Sequence, residues 1–153
     1  MKILVISDIH GLVSYAERMI EKEKPDEVVF CGDGWREIDE SRKFFKHVRF
    51  HTVGGNCDFC GEPELYITLG GKNIFITHGH RYNVKMEREL AYITLRAHAS
   101  EMGADLVLFG HTHYPDIVYR DGMIIVNPGA VMAGKYGVVE INGEEIKPQL
   151  KSL

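Results

Sequence analysis

Five short apolar runs set what this chain can become: KILVIS, EVVFCG, HTVGGN, NIFIT and DLVLFG, each closing on a glycine or polar turn instead of continuing. They are too short for buried helices and alternate too little for half-exposed strands, so they read as strands buried on both faces. Between the first of them lie helical patterns. One covers Ser14 to Lys24 and stops before Pro25. A second covers Glu37 to His47, with Ile38, Phe44 and Phe45 near one face, and a third strand follows over Arg49 to Val53. Strand, helix, strand in that rhythm is the opening of an α/β layer with parallel pairing.

The pattern changes from Leu65 onward. Glu64 to Leu69 and Lys72 to Thr77 flank Gly70-Gly71, the two-residue loop signal of a hairpin. Asp121-Gly122 between DIVYR and MIIVN, and Asn142-Gly143 between GVVEI and EEIK, repeat the signal. A long helical pattern over Lys85 to Met102 carries Met86, Leu90, Ile93, Ala97 and Met102 at near-helical spacing and is stopped by Gly103. A buried strand over Leu106 to Phe109 follows it. Helices early and hairpins late predict a four-layer αββα sandwich, α/β or α+β in class, with two mixed β-sheets packed face to face and helices outside. No linker, repeat or low-complexity stretch divides residues 1–153, so one domain is expected.

Bulk composition narrows the function classes. At 44% hydrophobic and 26% charged residues, the chain has the balance of an ordinary globular domain. The net charge of -4 and the absence of a Lys/Arg run argue against a nucleic-acid footprint. No apolar segment approaches the ~20 residues needed to span a bilayer. Asp8 and His10 interrupt the N-terminal apolar run before signal-peptide length, so a soluble cytoplasmic protein is expected. The three cysteines, Cys31, Cys57 and Cys60, are an odd count in a chain long enough to fold without disulfides. Cys57 and Cys60 form a CxxC, but neither the helix start of a redox pair nor the further soft ligands of a structural zinc site is evident. A CxxC redox protein is thus the weakest of the readings considered.

Chemistry-bearing residues gather where the strand signals end. Asp8 and His10 stand two residues apart past KILVIS, where both side chains can address one cation. Asp33 sits between two glycines after EVVFCG, on a loop where a carboxylate can reach two cations. Asn56 follows Gly54-Gly55, and His78 follows NIFIT. Taken singly, each of these also reads as turn chemistry or a structural side chain. The pair His111 and His113 after DLVLFG is the strongest local signal, because two imidazoles flanking one residue converge on a metal more readily than on a core. Strand ends of an α/β sheet are where ligands bind, and the recurrence points to a two-metal hydrolase.

The ordered set DIHG, GDG, GNCD, THGH, GHTH and NPGA resembles the calcineurin-like metallophosphoesterase superfamily, and within it the small single-domain phosphodiesterases of bacteria and archaea. The resemblance implies two divalent cations. Asp8, His10, Asp33 and His113 would hold one, Asp33, Asn56, His78 and His111 the other, with Asp33 bridging. It also implies a metal-bridging hydroxide attacking phosphorus in a small phosphate ester. Mn is the first choice of metal, with Ni, Co, Fe or Zn compatible with mixed His, Asp and Asn donors.

GNCD departs from the GNHE of many superfamily members, in which the histidine protonates the leaving oxygen. Cys57 stands in its place. A thiol is a poorer acid for an alkoxide than an imidazolium. Cys57 or His80 would therefore assist weakly, while a water or a good leaving group does most of the work and Cys57 serves mainly as a wall of the site. NPGA reads equally as turn chemistry supporting the metal loops, and Trp35, Arg81, Tyr82 and Tyr114 as cleft-lining or packing residues. The rival reading is an interaction scaffold without catalysis, which the chain also resembles in the calcineurin-like subunit of the retromer coat; a phosphomonoesterase is the nearer alternative. A homo-oligomer is compatible with either.

Overall fold

Ten strands, β1 (Lys2–Ile6), β2 (Glu27–Phe30), β3 (Arg49–Thr52), β4 (Glu64–Leu69), β5 (Lys72–Thr77), β6 (Leu106–Leu108), β7 (Asp116–Arg120), β8 (Met123–Asn127), β9 (Lys135–Asn142) and β10 (Glu145–Ser152), form two five-stranded sheets. They are seen in a computed structural model that describes residues 1–153. The first sheet has the order β10-β9-β1-β2-β3, the second β4-β5-β6-β8-β7. Each contains two parallel pairs: β1 with β2 and β2 with β3 on one side of the first sheet, and β5 with β6 and β6 with β8 in the middle of the second. The remaining neighbours are antiparallel hairpin or return strands.

Side-chain alternation along the strands builds the layers. Ile3, Val5, Val29, Val139 and Ile141 of the first sheet meet Ile74, Ile76, Leu106, Leu108 and Val126 of the second in a buried inter-sheet core. The intervening residues point the other way. Leu4, Ile6, Val28 and Phe30 pack under α1 (Val13–Glu23) and α2 (Trp35–Ser41), through Ala16, Met19, Ile20 and Ile38. Phe75, Val107 and Ile125 pack under α3 (Ile93–Glu101), through Leu95 and Ala99. The architecture is the four-layer αββα sandwich that the sequence predicts.

Two helices differ from expectation. The pattern over Lys85 to Met102 is broken: a single 3-10 turn at Arg88–Leu90 is followed by α3, which begins only at Ile93. Ala91 and Tyr92 between them are both left-handed, with φ of 52° and 53°. The Glu87 carboxylate accepts from the Thr94 amide at 2.7 Å and its hydroxyl at 2.6 Å, capping α3 from across the break. The face that enters the core is therefore Tyr92, Leu95 and Ala99, while Met86, Leu90 and Ile93 stay exposed. The second helix ends at Ser41, not His47, and Phe44 turns outward. The Asn142-Gly143 hairpin belongs to the first sheet, where β9 returns to pair antiparallel with β1.

The topology places the chemistry. The C-terminal ends of β1, β2 and β3 in one sheet, and of β5, β6 and β8 in the other, open onto one edge of the sandwich, and every candidate ligand follows one of these ends.

Candidate metal centre

Strand ends deliver Asp8 and His10 from β1, Asp33 from β2, Asn56 from β3, His78 from β5, and His111 and His113 from β6. The loops are stitched to one another. The amides of Asp8 and Ile9 donate to the carbonyls of Gly32 and Asp33 at 2.9 and 2.8 Å, and Gly110 N–H donates to the carbonyl of His78 at 3.1 Å. Asp8 Oδ2 accepts from the amide of His111 at 3.2 Å, which joins the two sheets across the site.

Donor atoms converge in overlapping groups. Asp8, His10 and His113 bring one donor each to within 4.8 Å of one another, as do Asp8, Asp33 and His78, and also His10, Asp33 and Cys57. His10 Nε2 lies 3.4 Å from His113 Nε2. His113 Nε2 lies 3.1 Å from Asp8 Oδ1, and His78 Nε2 lies 3.3 Å from Asp33 Oδ2 and 3.0 Å from Asn56 Oδ1. His111 joins through its ring, 5.0 Å from that of His78.

Three observations fit this set to cations. Asp8 is fully buried and its Oδ1 accepts no well-aligned hydrogen bond, although the ring of His113 faces it. A buried carboxylate oxygen without a partner is costly unless a cation takes that place. His78 Nδ1 lies 2.7 Å from the carbonyl of Cys31, which can only accept, so Nδ1 carries a proton and Nε2 is the nitrogen that faces the oxygens of Asp33 and Asn56, where a cation would take the place of its proton. Five of the seven candidate ligands, Asp8, His10, Asp33, His111 and His113, have φ between 43° and 66°. Non-glycine residues held there each cost about 1–3 kcal/mol, a strain that concentrates at functional sites.

Electrostatics follow from the same crowding. Burial raises the pKa of Asp8 above the ordinary aspartate value, against the attraction of His78 and His113. Burial also works to raise that of Asp33, but hydrogen bonds from His78 and from the Cys57 amide outweigh it and hold Asp33 well below the carboxylate range. Burial and the neighbouring charges of His78 and Lys85 push His111 down to about 4. His80 is shifted down by burial and by His78, and its Nδ1 is buried without a partner. For Cys57, a hydrogen bond to Asp33, then burial, keeps the thiol pKa above its ordinary value.

Asp58, the last residue of the GNCD motif, has a role that no local sequence pattern marks. Its carboxylate accepts four backbone N–H groups: Asp33 at 2.9 Å and Gly55 at 2.8 Å on Oδ2, Gly34 at 3.0 Å and Trp35 at 2.9 Å on Oδ1. It therefore caps α2 from a different loop and clamps GDG to GGN. Glu37 does a similar service for DIHG, accepting the Gly11 amide at 2.7 Å. Asn127 of NPGA, read as possible turn chemistry, holds GHTH: its Nδ2 donates to Gly110 O at 2.7 Å and to Thr112 Oγ1 at 2.9 Å. Gly55 is required by close approach, since a Cβ there would lie 2.1 Å from Asp33 Oδ1.

Beside the cluster lies a cleft of about 220 Å³ lined by Gly55, Phe59, Cys60, Pro63, His80 and Arg81. Of the aromatic neighbours, Tyr82 is buried and donates to Glu64, Trp35 packs against Gly61, and Tyr114 lies exposed beneath the guanidinium of Arg88.

A family profile described as a calcineurin-like phosphoesterase superfamily domain matches residues 1–142. The chain belongs to that superfamily. The probable metallophosphoesterase YsnB of Bacillus subtilis is 32% identical over 135 residues, covering 86% of this chain and 75% of the relative. Vacuolar protein sorting-associated protein 29 of Schizosaccharomyces pombe is 31% identical, covering 97% and 81%, and phosphodiesterase YfcE of Escherichia coli K12 is 26% identical, covering 90% and 83%. Among solved structures, a conserved protein of Streptococcus pneumoniae described as a predicted phosphoesterase matches with a TM-score of 0.79 at 27% identity, covering 99% of this chain and 88% of that one. Superfamily membership thus accounts for the sandwich.

Proposed function

We propose that this calcineurin-like phosphoesterase is a phosphodiesterase dependent on two divalent metal ions, with Mn the first choice. The observation that carries the reading is the convergence of donors in two groups, Asp8 with His10 and His113, and Asp8 with Asp33 and His78, that share the buried Asp8, whose Oδ1 has no hydrogen-bond partner. Asp8, His10, Asp33 and His113 would hold one ion, and Asp33, Asn56, His78 and His111 the other. When bound, such a pair clamps a phosphate and supplies an activated water for in-line attack.

The chain's own residues set the conditions. Asp33 stays ionised through neutral pH, so protons do not compete with cations for its two oxygens. His111, held to about 4, presents a neutral imidazole at neutral pH. Arg81, at the rim of the adjoining cleft, offers a fixed positive charge to a peripheral phosphate oxygen, and Phe59 and Pro63 offer apolar surface to an ester substituent. Neither Cys57, whose thiol pKa is raised in the metal-free chain, nor His80, whose ring is shifted towards the neutral form, is a strong proton source for a departing alkoxide. Esters with good leaving groups, such as aryl diesters, are therefore the best substrates, and His80 serves to orient rather than to protonate.

The likeness to vacuolar protein sorting-associated protein 29 favours a second reading, a non-catalytic scaffold on the same fold. Hydrolysis of a panel of diesters and monoesters with added Mn²⁺, by the parent and by Asp33→Asn, separates the cases. The diesterase reading expects diesters to lead and Asp33→Asn to be inactive. A variant as active as its parent overturns the mechanism, faster monoesters redirect the substrate class, and metal binding without turnover of any ester favours the scaffold.

A further inference from the structure

We infer that Cys57 is itself a metal ligand, adding a thiolate to the His10 and Asp33 side of the site; the inference rests on the two-metal reading above. The thiol is not a passive wall. Its sulfur, an imidazole nitrogen of His10 and a carboxylate oxygen of Asp33 all lie within 4.8 Å of one another. Donors bound at about 2.0–2.3 Å around one ion sit roughly 3.5 Å apart, a spacing not far below the separation of these three.

The sulfur is also aimed. Cys57 N–H donates to Asp33 Oδ1 at 2.8 Å, fixing the residue against the carboxylate that would bridge the ions. Asn56 Nδ2 donates to the sulfur at 3.5 Å, and the four backbone bonds to Asp58 lock the next residue. On the floor of the same site lies the buried Asp8 Oδ1 with no hydrogen-bond partner, 3.8 Å from His10 Nε2. The other cysteines are not so placed. Cys31 is in the inter-sheet core, and Cys60 lines the adjoining clefts outside every donor group.

Coordination replaces the S–H bond by a metal–sulfur bond and releases the proton to solvent. A soft donor changes the preference of an otherwise hard and borderline set, drawing it from Mn towards Zn, Co or Fe.

The test is titration of the reduced, metal-free full chain with Co²⁺, following the visible ligand-field bands, which report bound metal, and the near-ultraviolet band of thiolate-to-cobalt charge transfer. Both are expected to grow together in the parent and in Cys60→Ser. Cys57→Ser, at an exposed position, is expected to keep its circular dichroism and its visible bands, lose the charge-transfer band, and lose about tenfold in Zn²⁺ affinity relative to Mn²⁺. Visible bands in the parent without the near-ultraviolet band, or a band that survives Cys57→Ser, overturn the thiolate ligand while leaving the two-metal reading intact. Absence of any visible band, with His113→Ala indistinguishable from the parent, removes the two-metal reading and the thiolate with it.

Discussion

The carboxylate of Asp58 accepts the backbone N–H of Asp33 at 2.9 Å, so one acid holds the loop that presents the other. The same carboxylate gathers the amides of Gly34, Trp35 and Gly55. Removing it leaves four amides to find new partners in a tight, glycine-lined space, and frees the loop that carries Asn56 and Cys57.

Asp58→Ala is expected to destabilise the metal-free chain by about 2–4 kcal/mol, the cost of unpairing several amides and a helix cap together. Metal affinity is expected to fall by about ten- to a hundredfold, as when supports of a ligand shell are lost. Urea unfolding and metal titration measure the two effects. Wild-type metal affinity in the variant would show that the clamp does not position the ligands.

Asp8 presents the opposite case, a residue whose stability cost has a function. Burial raises its pKa, so the ionised form is disfavoured by folding, and its contribution to the stability of the metal-free chain worsens as pH rises above the ordinary aspartate value. Asp8→Asn is expected to leave the metal-free chain at least as stable as the parent at neutral pH. Added Mn²⁺ should raise the thermal midpoint of the parent only. A variant that melts well below the metal-free parent would mean that Asp8 is structural.

How much of this was legible beforehand depended on whether the deciding interaction is local. The strand ends were readable because each apolar run is a local pattern, and the ligands follow those runs directly. The clamp by Asp58 was not, since its partners at Asp33, Gly34 and Trp35 lie more than 20 residues upstream and meet it only after β2 and β3 pair in parallel. The broken helix over Lys85 to Met102 failed for a different reason. Ala91 and Tyr92 adopt left-handed angles that neither residue type signals, and burial of Tyr92, with its hydroxyl on Asp116 at 2.5 Å, overrides helical propensity. The return of β9 to the first sheet is a choice of partner that hairpin chemistry cannot specify.

Asn127 tests whether the turn that follows β8 belongs to the site. Its amide binds Gly110 O and Thr112 Oγ1, and its Oδ1 accepts Gly129 N–H at 2.9 Å. Asn127→Ala unpairs two buried backbone groups and the Thr112 hydroxyl and is expected to cost about 2–3 kcal/mol. Occupancy of the His111 side of the site should weaken more than that of the His10 side, giving two separated steps in a metal titration. A single unchanged step would confine Asn127 to turn formation.

Glu23, in the outer layer at the end of α1, supplies a pH test independent of the metal centre. It is buried, yet ion-paired with Lys2 at 2.7 Å and Lys151 at 3.1 Å, and it accepts the hydroxyl of Tyr136 at 2.8 Å. Burial alone would raise its pKa; the bonds from Lys2, Tyr136 and Lys151 outweigh burial and lower it from 4.5 to about 2. A carboxyl depressed on folding stabilises fully above its unfolded value, and the benefit fades as pH falls through the folded one. Glu23→Gln is therefore expected to be less stable than the parent by about 2–3 kcal/mol at neutral pH. The gap should shrink between about pH 4.5 and 2, below which both chains carry a neutral side chain. Unfolding midpoints of both chains across that range decide it: a gap that stays constant down to the acid limit would mean that packing or the Tyr136 hydrogen bond, not ionisation, makes the difference.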